Sequence, residues 1–120
     1  MFFDFLQLVI YKLSKDIYTD YLRSMNSAEI INTLRADLPL MKDTYDVEQI
    51  GLFGSYARDE ANEQSDIDVL VKFREPRLKS LINLLDFLEQ RFNKKIDLVT
   101  EGKQLSNRFR SMINAEIIYA

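Results

Sequence analysis

The 120-residue chain contains no cysteine and no histidine. Without cysteine, disulfides, thiolate nucleophiles, iron–sulfur clusters and thiolate zinc sites are excluded. Without histidine there is no imidazole base and no Ser-His-Asp triad, and the commonest transition-metal ligand is missing. Chemistry falls to carboxylates, hydroxyls, Lys, Arg and the backbone, and any metal is expected to be a hard, oxygen-seeking one such as Mg²⁺. A basic excess is also lacking: 16 Lys+Arg against 19 Asp+Glu leave a net charge of −3, which argues against direct nucleic-acid binding. Long hydrophobic runs are absent too. The apolar stretch Phe5 to Tyr11 is too short to span a bilayer, and it lacks the basic start and cleavage site of a signal peptide. No membrane association is expected, and a cytoplasmic location is. A chain that is 47% hydrophobic and 29% charged has the composition of one globular domain.

The charge that is present is uneven. From Lys42 to Asp68 stand eight acids (Asp43, Asp46, Glu48, Asp59, Glu60, Glu63, Asp66, Asp68) and two bases; from Arg91 to Arg110, six bases and two acids (Asp97, Glu101). An acidic centre followed by a basic tail would suit a metal and then a polyanion, although two solvated faces have the same pattern.

Periodicity divides the chain. Phe3, Leu6, Ile10, Leu13, Ile17 and Tyr21 recur at helical steps, so residues 1–24 are read as an N-terminal helical extension that packs on the domain or on a second copy. The domain proper is then 25–120. Ser27 is expected to cap a helix whose stripe is Ile30, Ile31, Leu34 and Leu38, with Pro39 stopping it. Val47 to Phe53 reads as a strand running into the turn Gly54-Ser55. Asp66 to Phe73 alternates with period two, placing Ile67, Val69, Val71 and Phe73 on one face and Asp66, Asp68, Leu70 and Lys72 on the other. After Pro76, the residues Leu78, Leu81, Ile82, Leu85, Leu88 and Phe92 form an amphipathic helical stripe. Lys95 to Val99 is a short strand, Leu105 to Met112 a helix and Ile117 to Tyr119 a last strand. The expected fold class is α+β, a small mixed β-sheet with helices packed mainly on one face.

Asp66 and Asp68, two apart on a strand, project from one face close enough to share a cation. Without a cation they repel, and Asp is disfavoured in strands, so the pair carries a local cost of the kind that marks functional sites. The spacing alone is equally compatible with two carboxylates facing water. Three neighbours favour chemistry. Gly54-Ser55 directly after a strand offers backbone N–H groups and a hydroxyl to an anion. Asp97 sits mid-strand between Ile96 and Leu98, the same odd placement, and would join the pair if the strands were adjacent. With neither His nor Cys available, a cation site here is all oxygen, as metal-assisted phosphoryl or nucleotidyl transfer requires.

Gly54-Ser55, ten residues, then Asp66-Ile67-Asp68 resembles the motif of the polymerase-β-type nucleotidyltransferases. Leu52-Phe53-Gly54-Ser55-Tyr56-Ala57-Arg58 and Ser65-Asp66-Ile67-Asp68-Val69-Leu70-Val71 resemble its minimal branch, MNT, and Lys95-Ile96-Asp97-Leu98-Val99 resembles the third-carboxylate strand. The likeness covers Ala28 to Ala120; Asp59 departs from it, standing where many relatives have Gly. The resemblance implies a polymerase-β-like fold in which Asp66 and Asp68 hold two Mg²⁺ ions and Asp97 completes one metal site and helps deprotonate the attacking hydroxyl. Gly54 and Ser55 would hold the ATP phosphates. Arg58 is a further candidate for the phosphates, or else forms a surface salt bridge with Asp59 or Glu63.

The implied reaction moves AMP from ATP to an acceptor hydroxyl. The chain has no room for a separate acceptor domain, so the acceptor is expected on a partner. MNT proteins resemble the antitoxin half of HEPN–MNT toxin–antitoxin pairs, which implies a HEPN RNase toxin as partner and a Tyr of it as acceptor. The run Arg91 to Arg110 and the N-terminal helix are candidate docking surfaces. Two alternatives stay open: an antitoxin that neutralises by binding without catalysis, and a small-molecule nucleotidyltransferase acting as a homodimer.

Overall fold

The computed structural model describes residues 5–23 and 25–120, and of residues 16–23 the backbone alone. Five helices and four strands follow in the order α1 (Phe5–Arg23), α2 (Ser27–Thr44), β1 (Val47–Phe53), α3 (Gly54–Ala57), β2 (Ile67–Phe73), α4 (Leu78–Phe92), β3 (Ile96–Thr100), α5 (Asn107–Asn114) and β4 (Ile118–Tyr119). The strands form one mixed sheet, ordered β3-β2-β1-β4, in which only β2 and β3 run parallel. The class is α+β, as the alternation of helical and strand periods implies. No helix among the described residues is long and apolar enough to cross a membrane.

The period-two pattern decides which face is dry. Ile50 and Leu52 of β1, Ile67, Val69, Val71 and Phe73 of β2, and Ile96 of β3 enter the main core. From α2 come Ile30, Ile31, Leu34 and Met41, and from α4 Leu84, Leu88 and Phe92. Each fully buried aliphatic side chain in such a core contributes about 1.5–3 kcal/mol. On the other face a smaller cluster of Phe53, Leu70 and Ile113 seats α5 on the sheet. That helix therefore lies on the face that carries Asp68.

Four local expectations are corrected. Pro39 does not stop α2, which continues to Thr44. The proline removes one backbone donor, but the extra turn places Met41 fully in the core and brings the Tyr45 ring 5.2 Å from that of Phe87. The cap is Asn26 rather than Ser27: the Asn26 side chain accepts from Glu29 N at 2.9 Å. On α4, Leu88 and Phe92 of the expected stripe are buried and Leu81 and Leu85 pack against the core, but Leu78 and Ile82 are exposed and Leu84 takes a fully buried place, because the helix meets the core along a line rotated from the expected stripe. The helix α1 forms, but of its expected stripe Leu6, Ile10 and Leu13 are exposed rather than packed. Phe3 lies outside the described residues, as do the side chains of Ile17 and Tyr21.

Ser27 has a different partner. Its N–H and Oγ both donate to the Asp59 carboxylate, at 2.9 and 3.0 Å. Asp59 itself has φ +55°, the left-handed region that favours glycine. The two bonds compensate the strained backbone and tie the loop after α3 to the start of α2. Asp59→Ala keeps the strained backbone and loses both bonds, so it is expected to cost about 1–2 kcal/mol in urea unfolding. Asp59→Gly relieves the strain and should cost less than half as much; equal losses would contradict this division.

Candidate active site

The site begins with the pairing of β2 and β3. Their parallel register sets Asp68 opposite Asp97, with Ile67 opposite Ile96. Adjacent strands lie about 4.8 Å apart, so the two carboxylates emerge side by side. Asp66 precedes β2 by one residue and belongs to the same face by alternation. On the opposite side of β2, the antiparallel register of β1 sets Phe53 beside Asp68. The chain then turns at Gly54, with φ +76°. A Cβ at Gly54 would overlap the Asp68 carboxylate. Both the backbone angle and the close approach therefore demand glycine at this position. Ser55 follows in the single turn α3, half-buried.

The electrostatics follow from this crowding. Partial burial, then the charge of Asp97 and a hydrogen bond with it, then Asp66 and Glu116, push the Asp68 carboxyl up from 3.8 to about 6. Lys95 Nζ stands 3.7 Å from Asp66 Oδ2 and offsets part of the negative charge. Asp97 is exposed at the edge of the sheet. Asp68 is within electrostatic reach of both Asp97 and Asp66, yet among the described residues no three acidic side chains converge on one point as a ready-made cation cage. The donor set nonetheless fits a hard divalent ion. It is all oxygen, and the mutual repulsion that raises Asp68 is what such a cation would relieve.

Arg58 forms surface salt bridges, with Glu116 and Glu60 in place of the expected Asp59 or Glu63. Its Nη1 donates to Glu116 Oε2 at 2.6 Å and its Nε to Glu60 Oε2 at 3.0 Å. These contacts raise the guanidinium's proton affinity, Glu116 most strongly, and the Arg58 hydrogen bond is the largest influence lowering the pKa of Glu116. Glu116 also accepts from Gly54 N at 2.9 Å. Sequence reasoning missed this residue, since no spacing links a glutamate beside the last strand to a turn 62 positions earlier. The basic run is likewise used internally: Arg91 pairs with Asp37, Arg110 with Glu101, and Lys94 Nζ donates to the Glu63 carbonyl while standing over the Tyr56 ring.

Residues 30–119 match the family model described as a nucleotidyltransferase domain. A protein adenylyltransferase of Thermococcus cleftensis, MntA, is 37% identical over 76% of this chain and 92% of its own. A solved structure provisionally identified as a minimal nucleotidyltransferase superposes with a TM-score of 0.67 at 34% identity, over 78% of this chain and 95% of that one. A toxin–antitoxin crystal structure with AMP-PNP, at 24% identity, shares the fold with a TM-score of 0.57 over 79% of this chain and 72% of that one.

The Asp68 shift gives a pH prediction whose sign is fixed by linkage. Because the folded-state value lies above the unfolded one, the stabilisation is complete below 3.8 and lost as pH rises through about 6. In chelator-containing buffer at pH 7.5, Asp68→Asn should therefore be more stable than the wild type. The gain is about 1 kcal/mol once solvent screening of this half-exposed group is allowed for. Urea unfolding should show the difference narrowing toward pH 4. A variant less stable than the wild type at pH 7.5 would contradict the account.

Proposed function

The chain belongs to the nucleotidyltransferase domain family, and from that premise we propose that it moves AMP from ATP to a hydroxyl, a Tyr of a HEPN-type RNase toxin, and so acts as the antitoxin. The observation that carries this reading is the side-by-side placement of Asp68 and Asp97 with Gly54 packed against Asp68. Further support comes from the relative named protein adenylyltransferase and from the shared fold of the toxin–antitoxin structure with AMP-PNP. Residues 25–120 would be the transferase unit and 1–24 an extension to it.

Asp66 and Asp68 would hold two Mg²⁺ ions, with Asp97 completing one of the sites, and the ions supply neutralising charge on the entering and leaving oxygens. The chain's own groups do the rest. Gly54 N–H, the Ser55 hydroxyl and Arg58 hold the β- and γ-phosphates, which fixes the α-phosphorus in front of the carboxylates. The acceptor oxygen attacks the α-phosphorus and its proton passes to Asp97. The bond from the α-phosphorus to the bridging oxygen breaks, and pyrophosphate leaves. Asp97, exposed at the sheet edge, is open to a hydroxyl presented by another protein.

The test is transfer of label from α-labelled ATP in the presence of Mg²⁺, with and without the protein encoded beside this one. Label is expected on a Tyr of that partner and should fall by at least about a thousandfold in Asp66→Asn/Asp68→Asn, a loss in the range seen when charge-stabilising groups are removed. No transfer, with the double variant still silencing the partner, would replace catalysis by neutralisation through binding.

A further inference from the structure

Glu116 stands in the turn between α5 and β4, and its two carboxylate oxygens are divided between two donors of the Gly54–Arg58 segment. Oε1 accepts from Gly54 N at 2.9 Å and Oε2 from Arg58 Nη1 at 2.6 Å. These are the donors assigned above to the nucleotide's phosphates. A backbone amide has one hydrogen, so Gly54 N cannot bond fully to Glu116 and to a phosphate at once. A carboxylate bridging a backbone N–H and a guanidinium presents the same pair of anionic acceptors as two phosphate oxygens.

We propose that Glu116 is a displaceable stand-in for the nucleotide's phosphate, a latch that aligns Gly54 N–H and Arg58 in the free protein and yields when the triphosphate arrives. The proposal rests on the nucleotide reading of the site.

The surroundings allow the exchange. The backbone of the turn is fixed: Glu116 N and Ile117 N both donate to Ile113 O, and Ile118 pairs with Leu52. Only the side chain has to swing. It can do so because its side chain is 23% exposed and Arg58's 44%, so both charges have water to turn into. Leaving also takes one carboxylate away from the Asp68 cluster just as a polyanion enters it. A glutamate serving only to brace the fold would need neither the motif glycine's amide nor a water-facing arginine.

The test is MgATP binding by calorimetry to the wild type, Glu116→Gln and Glu116→Asp. It is read alongside the amide signals of ¹⁵N-glycine-labelled protein, in which Gly51, Gly54 and Gly102 are the only three glycines. Removing the competing charge should tighten MgATP binding about three- to tenfold in Glu116→Gln, the size expected from a half-exposed charge-assisted contact. Glu116→Asp, too short to bridge both donors, should fall between. Saturating MgATP should move the wild-type Gly54 amide signal while leaving that of Gly102 in place. Weaker or equal binding by a folded Glu116→Gln protein would overturn the latch alone, as would a Gly54 signal that MgATP leaves unmoved. Failure of all three proteins to bind MgATP would overturn the nucleotide reading and the latch with it.

Discussion

The parallel pairing of β2 with β3 is the constraint on which the rest depends. One register places Ile67 against Ile96 on the dry face and Asp68 against Asp97 on the other. A slip of one residue would exchange the faces, burying carboxylates among Leu84, Leu88 and Phe92 and exposing the aliphatic row. The hydrophobic core therefore fixes the geometry of the acidic site, and the stability of the one cannot be separated from the position of the other. β1 adds the third element from the far side of β2, delivering Gly54 to a contact so close that no other residue fits.

The price of this arrangement is visible in the charge. Asp68 is partly buried beside Asp97, Asp66 and Glu116, and its carboxyl rises to about 6. Positive groups stand near but do not cancel it: Lys95 approaches Asp66, and Arg58 is taken by Glu116 and Glu60. The acidic face thus keeps a surplus of negative charge, while Gly54 N–H and Arg58 are both occupied by the Glu116 carboxylate. On the proposed function these are complementary states of one device, with the acids waiting for cations and the donors for an anion.

Much of this was legible in the sequence, because strand alternation is a local property. Ile67 to Phe73 declares its two faces without any knowledge of what covers them, and Asp97 between Ile96 and Leu98 does the same. Gly54-Ser55 after a strand marks a turn that approaches something closely. What stayed hidden depends on long-range contacts. Pro39 reads as a stop by its backbone chemistry, but burial of Met41 decides otherwise. The rotation of α4 is set by the sheet beneath it. Asp59 stands at a position where glycine is expected, and Ser27, 32 residues away, explains how it is accommodated. Glu116 carries no local mark at all, since its role comes from the α5–β4 turn meeting the end of β1 in space.

The proposed function requires that Asp66, Asp68 and Asp97 hold divalent cations together. The most direct test is a crystal structure of the protein with Mn²⁺ and a non-hydrolysable ATP analogue, read by anomalous scattering. The expected result is Mn²⁺ density bridging Asp66 and Asp68, with Asp97 in contact with one ion and the analogue's phosphates at Gly54 and Ser55. Nucleotide bound elsewhere, or no Mn²⁺ at the three aspartates, would contradict it.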